Sequence, residues 1–386
     1  MAGLLDGTTV LDLGSVGPAA RASRWLADYG ATVVKVGAVP SAGSVQIIPV
    51  FFAYGGQRGM KRALFDLKSP EGREAFLALA AVSDVVIESF RPGVVDRLGV
   101  GYDDVRARNP GIVYCSTSGY GQDGPYSQHA GHDLNYLGVG GYLACSEAGE
   151  AGKPVIPGTT VADSAAGGMH AVMSICAALV ARGRTGEGAF LDVSVADGVL
   201  QLMALHIEDH LATGVHPGHR HTITTGRYAC YDTYQAADGG WITVAAIEAK
   251  FWANFCNLVG LPQWASSQTD DAVQDQIRAE VADVIRTKGR DEWVALLAPA
   301  DTCVAPVLSV EELVDDPQLV SRGDFPEAHH PSKGTFRQLG PTLAGQVREP
   351  RYDLREGDVT DTDALLASAG LSPDEITKLH EAGAIA

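Results

Sequence analysis

The first third of the chain alternates short β-rich runs with helical patterns, and this rhythm restricts the fold more than any other feature. TTVLDLG leads into a helical stretch through ASRWLADYG and then TVVKVG. ALFDLK follows, then a helix opened by Ser69-Pro70-Glu71-Gly72 and continued through REAFLALAAV, then DVVIES, the helical YDDVRARNP and finally IVYCSTSGYG. Serine at a cap with proline at the first helical position is a start signal, because the hydroxyl takes up an orphan amide and the ring has none to satisfy. Strands that alternate with helices read as βαβ units, so a Rossmann-like α/β domain built on a parallel sheet is expected.

The turn after the first strand is GSVGPAA rather than G-x-G-x-x-G, which argues against a plain NAD dehydrogenase. Beyond a helix from Asp163 and the segment FLDVSVADGVLQLMALHI, the Gly/His-rich stretch 214–226 reads as a linker. YACYDTYQAADGGWITVAAI then predicts a hairpin turning at Asp238-Gly239-Gly240, with helices from Glu248, over 271–288 and over 291–298. The expected division is a large domain over 1–213, a small α+β domain over 226–325, and a segment 326–386 returning to the large domain. The tail from Glu311 is acidic and turn-rich and ends in a short helix after Ser372-Pro373-Asp374-Glu375.

With 386 residues the chain is long enough for two such domains. A formal net charge of -18 opposes polyanions, so neither a nucleic acid nor an anionic membrane is an expected partner, and an anionic small ligand requires a local basic pocket. Six cysteines without a C-x-x-C pair suggest reduced thiols and a cytoplasmic setting. MAGLLDGTTVLDLG lacks the pattern of a secretory signal, and the apolar window 161–181 carries Asp163 and His170, which reads as a buried helix.

Chemistry concentrates in a few places. DVVIES delivers Phe90-Arg91-Pro92-Gly93 to the carboxyl end of a strand, where open α/β sheets bind ligands, with Arg97 six residues on. Together with Lys61, Arg62 and Lys68 they form the densest basic cluster and suit phosphates; a solvated helix end paired with Asp66 and Glu88 is the competing reading. Gly131-His132-Asp133-Leu134-Asn135-Tyr136 sets an imidazole beside an acid, for catalysis or for structure. Asp163 precedes a small-residue helix, where an N-cap competes with a catalytic role and free amides suit an enolate oxygen. His206 and His210 flank Glu208 out of register for H-E-x-x-H, and His216, His219 and His221 sit on a Gly/Pro loop, so no metal is expected. Neither a G-x-S-x-G elbow nor a Walker loop is present.

LADYGATVVKV, RALFDLKSPEGREAF, DVVIESFRPGVVDRLGVGYD, NPGIVYCSTSGYGQDGPY and RGRTGEGAFLDVSVADGVL together resemble the class III CoA-transferase family across nearly the whole chain. The resemblance implies a large Rossmann-like domain made from both termini, a small middle domain, and a homodimer of two interlocked rings. It implies an acyl-CoA substrate, with coenzyme A as part of that substrate and no tightly bound cofactor. GHDLNY is similar to the alpha-methylacyl-CoA racemase branch, in which His132 pairs with Asp163; in the transferase branch the same aspartate is a covalent nucleophile. AAIEAKF resembles the racemase motif that places Glu248 to hydrogen-bond the histidine, and TTGRYACYDTY lacks the glycine-rich loop usual in transferases. Asp133 and Tyr231 fall where racemases keep supporting polar groups, and Lys68, Arg91 and Arg97 match coenzyme A-binding positions. Val36-Gly37-Ala38-Val39-Pro40 departs from the family, which often has a charged nucleotide contact there.

Overall fold

The computed structural model describes residues 3–14, 16–40, 56–146, 149–345 and 348–386. They divide into two compact units, one of Met1–Gly141, Pro157–Leu205 and Pro317–Ala386, the other of Tyr142–Ile156 and His206–Asp316. These bounds differ from the domain limits read in the sequence. The residues 142–156 join the second unit, and the change of unit falls between Leu205 and His206, inside a helix, where no shift in composition marks it.

In the first unit β1 (Thr9–Asp12), β2 (Thr32–Ala38), β3 (Lys61–Phe65), β4 (Val85–Glu88), β5 (Val113–Ser118) and β6 (Ala189–Ser194) form one sheet in the order 3-2-1-4-5-6. Every pairing in it is parallel. The strands alternate between two cores. Leu11, Val34, Val86 and Tyr114 face one side, while Val10, Val33, Val85 and Val113 face the other. Burial on both faces explains why these strands place apolar residues next to one another.

The crossovers are helical: α1 (Gly17–Asp28) follows β1, α2 (Pro70–Ala81) follows β3, and α3 (Val94–Leu98) and α4 (Tyr102–Arg108) follow β4. Ser69 caps α2 as expected, its Oγ accepting the Gly72 amide at 3.0 Å. After β5 come α5 (Asp133–Val139), the short α6 (Tyr142–Cys145) of the second unit, and a π-helical turn Ala162–Met169 that runs into α7 (His170–Thr185). α8 (Val195–Leu202) and α9 (Ala204–Thr213) follow β6.

The continuous helix Ala162–Thr185 is long and apolar enough to cross a membrane by length and composition alone, with mean hydropathy 1.6. Only 33% of its most apolar window is buried, less than the buried helix expected from its sequence, because Met169, Met173 and Val180 are exposed.

The second unit holds the antiparallel sheet β7 (Tyr231–Gln235), β8 (Trp241–Ala245) and β9 (Val304–Pro306). Its hairpin turns where predicted, at Gly239 with φ of 84°. α10 (Ala249–Leu258), α11 (Gln274–Ile285) and α12 (Arg290–Leu297) cover the sheet through Trp252, Phe255, Ile277, Val281 and Trp293. This is the small α+β fold the pattern suggested.

The C-terminal segment completes the first unit. A small sheet of β10 (Glu327–His330), β11 (Gly334–Arg337) and β12 (Arg351–Asp353) was not legible as strands. Two helices, Thr362–Ser368 and Pro373–Glu381, add Leu365, Leu366 and Ile376 to the core on one face of the large sheet. The chain then docks along the outer edge of β3. Ile385 bridges Phe65, and the Ala384 carbonyl accepts the Asp66 amide at 2.8 Å.

Candidate active site

The strand order reverses around β1, which lies between β2 and β4, so the carboxyl ends of β1 and β4 open the crevice in which such sheets bind ligands. The two loops meet there. A Cβ on Gly14 would lie 3.2 Å from Ser89 Oγ, and the Leu13 amide donates to the Ile87 carbonyl at 2.8 Å. Each strand ends in a buried carboxyl. Asp12 accepts the Gly14 amide at 2.7 Å, Lys35 Nζ at 2.5 Å and the Ser23 hydroxyl, which fixes the turn into α1. Glu88 accepts the Phe90 amide at 2.6 Å and the Ser116 hydroxyl, which fixes the turn that presents Phe90-Arg91-Pro92-Gly93. Burial outweighs these donors and raises the Glu88 carboxyl to about 7.

The basic residues are distributed differently from the cluster read in the sequence. β3 is the edge strand, separated from β4 by β2 and β1, and Lys61 and Arg62 stand at its amino end. The Arg62 guanidinium donates to the Gly357 carbonyl. Arg62 therefore leaves the group, because a strand advances about 3.3 Å per residue and carries its two ends to opposite rims of the sheet. Lys68, past the carboxyl end of β3, and Arg91 and Arg97, past that of β4, remain exposed on the binding rim. No ion pair joins them to Asp66 or Glu88 among the described residues, since Glu88 points inward, and Arg97 folds back over Gly93.

Asp163 is not an N-cap. It lies in the first turn of the π-helix, and its own amide is capped, donating to Asp133 Oδ1 at 2.8 Å. That amide is thereby occupied and is no free donor for an enolate oxygen. His132 is the exposed N-cap residue of α5, with its amide donating to Asn135 Oδ1 at 3.0 Å, so α5 delivers His132 and Asp133 together. Burial pushes the Asp163 carboxyl up; Arg21 and His132 oppose that shift and Asp133 adds to it. Tyr136, one turn along α5, donates to the Gly131 carbonyl at 2.6 Å and is pushed up to about 12 by burial and by Asp163. The π-turn is held by close packing on α8, where Gly198 passes so near that an added Cβ would lie 2.0 Å from the Ala166 carbonyl oxygen.

Glu248 and Tyr231 lie in the second unit. Glu248 is the exposed N-cap residue of α10 and Tyr231 opens β7, half-buried. Among the described residues no group of three or more His, Cys, Asp or Glu side chains could hold a metal ion. His206 lies beside His221 and His210 beside His216 as pairs of tilted rings.

Arg21 is the site residue that sequence reasoning missed. Its position on α1 is 143 residues from Ser164, to which its Nε donates at 2.8 Å, and an arginine on a small-residue helix carries no motif. Asp12 and Glu88 had a weak signal, an acid closing an otherwise apolar parallel strand.

Comparison with known proteins agrees with this fold. Residues 5–353 match the model of CoA-transferase family III. Human alpha-methylacyl-CoA racemase is 30% identical over 378 residues, covering 97% of this chain and 96% of its own. Human succinyl-CoA:glutarate CoA-transferase is also 30% identical, over 366 residues, covering 91% of this chain and 82% of its own. The crystal structure of a CAIB/BAIF family protein from Brucella suis superposes with a TM-score of 0.78 at 27% identity, covering 96% of this chain and all of that one.

Proposed function

The chain belongs to CoA-transferase family III, and on that premise we propose that it is a racemase that interconverts the (R) and (S) forms of 2-methylacyl-CoA thioesters. The observation that carries this reading is the convergence on Asp163, a carboxyl that burial inclines to hold a proton, with Asp133 on its amide and His132 next to Asp133 on the same helix end. The α-proton beside a thioester is weakly acidic, so inversion requires a base on one face, an acid on the other and a stabilised enolate between them. Neutral His132 takes the proton from one face while protonated Asp163 gives its proton to the opposite face, and the reverse direction starts from the opposite charge states. Each such group contributes about 10²–10⁴-fold.

Lys68, Arg91 and Arg97 are assigned to the phosphates of coenzyme A, which is part of the substrate. Glu248 and Tyr231 are assigned supporting roles on the strength of the resemblance. Chemistry of this kind proceeds by proton transfer and calls on neither metal nor redox cofactor. The exposed apolar face of Met169, Met173 and Val180 supports self-association, which we read as an interlocked homodimer working in the cytoplasm.

A second reading is a CoA-transferase, favoured by the Arg21 guanidinium 3.9 Å from the Asp163 carboxylate, a charge that suits an ionised nucleophile. In that reaction Asp163 attacks the thioester carbonyl, giving a mixed anhydride and releasing the coenzyme A thiolate. One experiment separates the two. A single epimer of a 2-methylacyl-CoA is incubated in D₂O without acceptor acid and followed by NMR. A racemase incorporates deuterium at the α-carbon and epimerises, and His132→Ala slows both by about 10²–10⁴-fold. Absence of exchange, with coenzyme A transfer once a free acid is added and an Asp163 adduct trapped by hydroxylamine, establishes the transferase instead.

A further inference from the structure

The guanidinium of Arg21 is held on three sides. Its Nε donates to Ser164 Oγ at 2.8 Å, Nη2 to Thr160 Oγ1 at 2.6 Å and Nη1 to the Gly17 carbonyl at 3.2 Å. Thr160 and Ser164 are the two ends of one turn, joined by the Ser164 amide donating to the Thr160 carbonyl at 3.1 Å, and Asp163 sits on that turn. The fork therefore spans the backbone that carries the reacting carboxyl, and its Nη1 stands 3.9 Å from Asp163 Oδ2. Side-chain exposures of 20% for Arg21 and 18% for Asp163 leave the pair only partly screened by water.

The charged and titratable groups acting on Asp163 are Arg21 from α1 and His132 and Asp133 from α5, with Tyr136 of α5 responding to it. Their balance has a consequence for proton transfer. In a two-base reaction His132 gains and loses a proton at each turnover, so its charge is not constant. Asp133, if ionised, and burial both favour the protonated form of Asp163. Arg21 is the one permanent cation among these groups.

We propose that Arg21 is a positioning residue that clamps the turn bearing Asp163 and keeps the ionised form of that carboxylate accessible. The assignment rests on Asp163 being the reacting carboxyl, and applies equally to proton transfer and to nucleophilic attack. With it, Asp163 can alternate between holding and lacking a proton; without it, the protonated form persists to higher pH.

The test titrates Asp163 without relying on turnover. Wild type, Arg21→Gln and Arg21→Lys are labelled with a water-soluble carbodiimide and glycinamide at a series of pH values, and coupling at Asp163 is quantified by peptide mass spectrometry. The Arg21→Gln midpoint is expected to rise by about one pH unit or more, with the acidic limb of kcat/KM moving by the same amount, while Arg21→Lys restores most of the shift because the charge is kept. A midpoint unmoved in Arg21→Gln overturns the assignment. So does an equal shift in Arg21→Gln and Arg21→Lys, which would reflect lost packing rather than lost charge. Should Arg21→Gln fail to fold, Thr160→Val removes one anchor of the fork and is expected to raise the midpoint by a smaller step; an unmoved midpoint there also overturns it. Failure of 2-methylacyl-CoA to exchange would count against the racemase and not against Arg21, because labelling requires no substrate.

Discussion

Glu88 is 2% exposed and closes β4 with its carboxyl turned into the protein, where Ser116 and the Phe90 amide both donate to it. Two donors favour the anion, yet burial wins and moves the group from the ordinary 4.5 to about 7. Between those values the folded chain holds a proton that the unfolded chain has released, so this residue makes stability fall as pH rises through the window and stop changing above it. A shift of that size corresponds to about 3 kcal/mol. Urea midpoints measured from about pH 4.5 to about pH 7.5 should fall with rising pH in wild type and flatten in Glu88→Gln; a slope unchanged by the substitution would refute the account. The sequence offered Glu88 only as a surface partner for arginine, because strand periodicity assigns a face to a side chain and says nothing about what waits there. The candidates His132 and Asp163 could be named from the segments around them. Arg21 was not, since its meaning depends on a partner far along the chain.

At the scale of the element, the π-turn is where local pattern and tertiary packing part company. A run such as Ala162-Asp163-Ser164-Ala165-Ala166-Gly167-Gly168 predicts an ordinary helix start, and only its neighbours impose the wider turn. Gly167 is pressed against Pro18 of α1 and Gly198 of α8 against the Ala166 backbone, leaving no room on either side. Gly198→Ala should cost about 1–3 kcal/mol in urea denaturation, because the obstructing atoms are backbone and cannot rotate away. Gly183, exposed in α7 with nothing near a Cβ, makes the matched control. Its replacement by alanine should stabilise by about 0.5–1 kcal/mol through helix propensity alone. Equal effects of the two substitutions would show that packing on the π-turn is not what distinguishes them. The parallel strands were readable for the opposite reason, since β1 to β5 each carry two or more consecutive apolar residues, whereas β10 to β12 are short and mix polar with apolar residues.

For the whole molecule the decisive arrangement is that the first unit is assembled from three separate stretches of chain. Its sheet edge is closed by residues from the far end. The Arg62 amide donates to Asp361, the Leu64 amide to Thr362 Oγ1 at 3.1 Å, and Ile385, 3% exposed, packs into the same core as Phe65 and Phe76. Ile385→Asp would bury an unpaired carboxylate there and free the edge of β3. Thermal unfolding and light scattering should show a loss of about 3 kcal/mol or more with increased aggregation; an unchanged melting temperature would mean the edge is sealed by Asp361 and Thr362 without it.

The same arrangement bears on how the protein is made. Thr362 is synthesised 298 residues after Leu64, so on a ribosome working at about 5–20 residues per second the first strands wait many seconds for their cover. Throughout that interval the flank of β3 is open to other nascent chains, with the charges of Lys61 and Arg62 at its head as the nearest deterrent to wrong pairing. The second unit, whose main segment is continuous, is free to fold in the meantime, and the large sheet is sealed last.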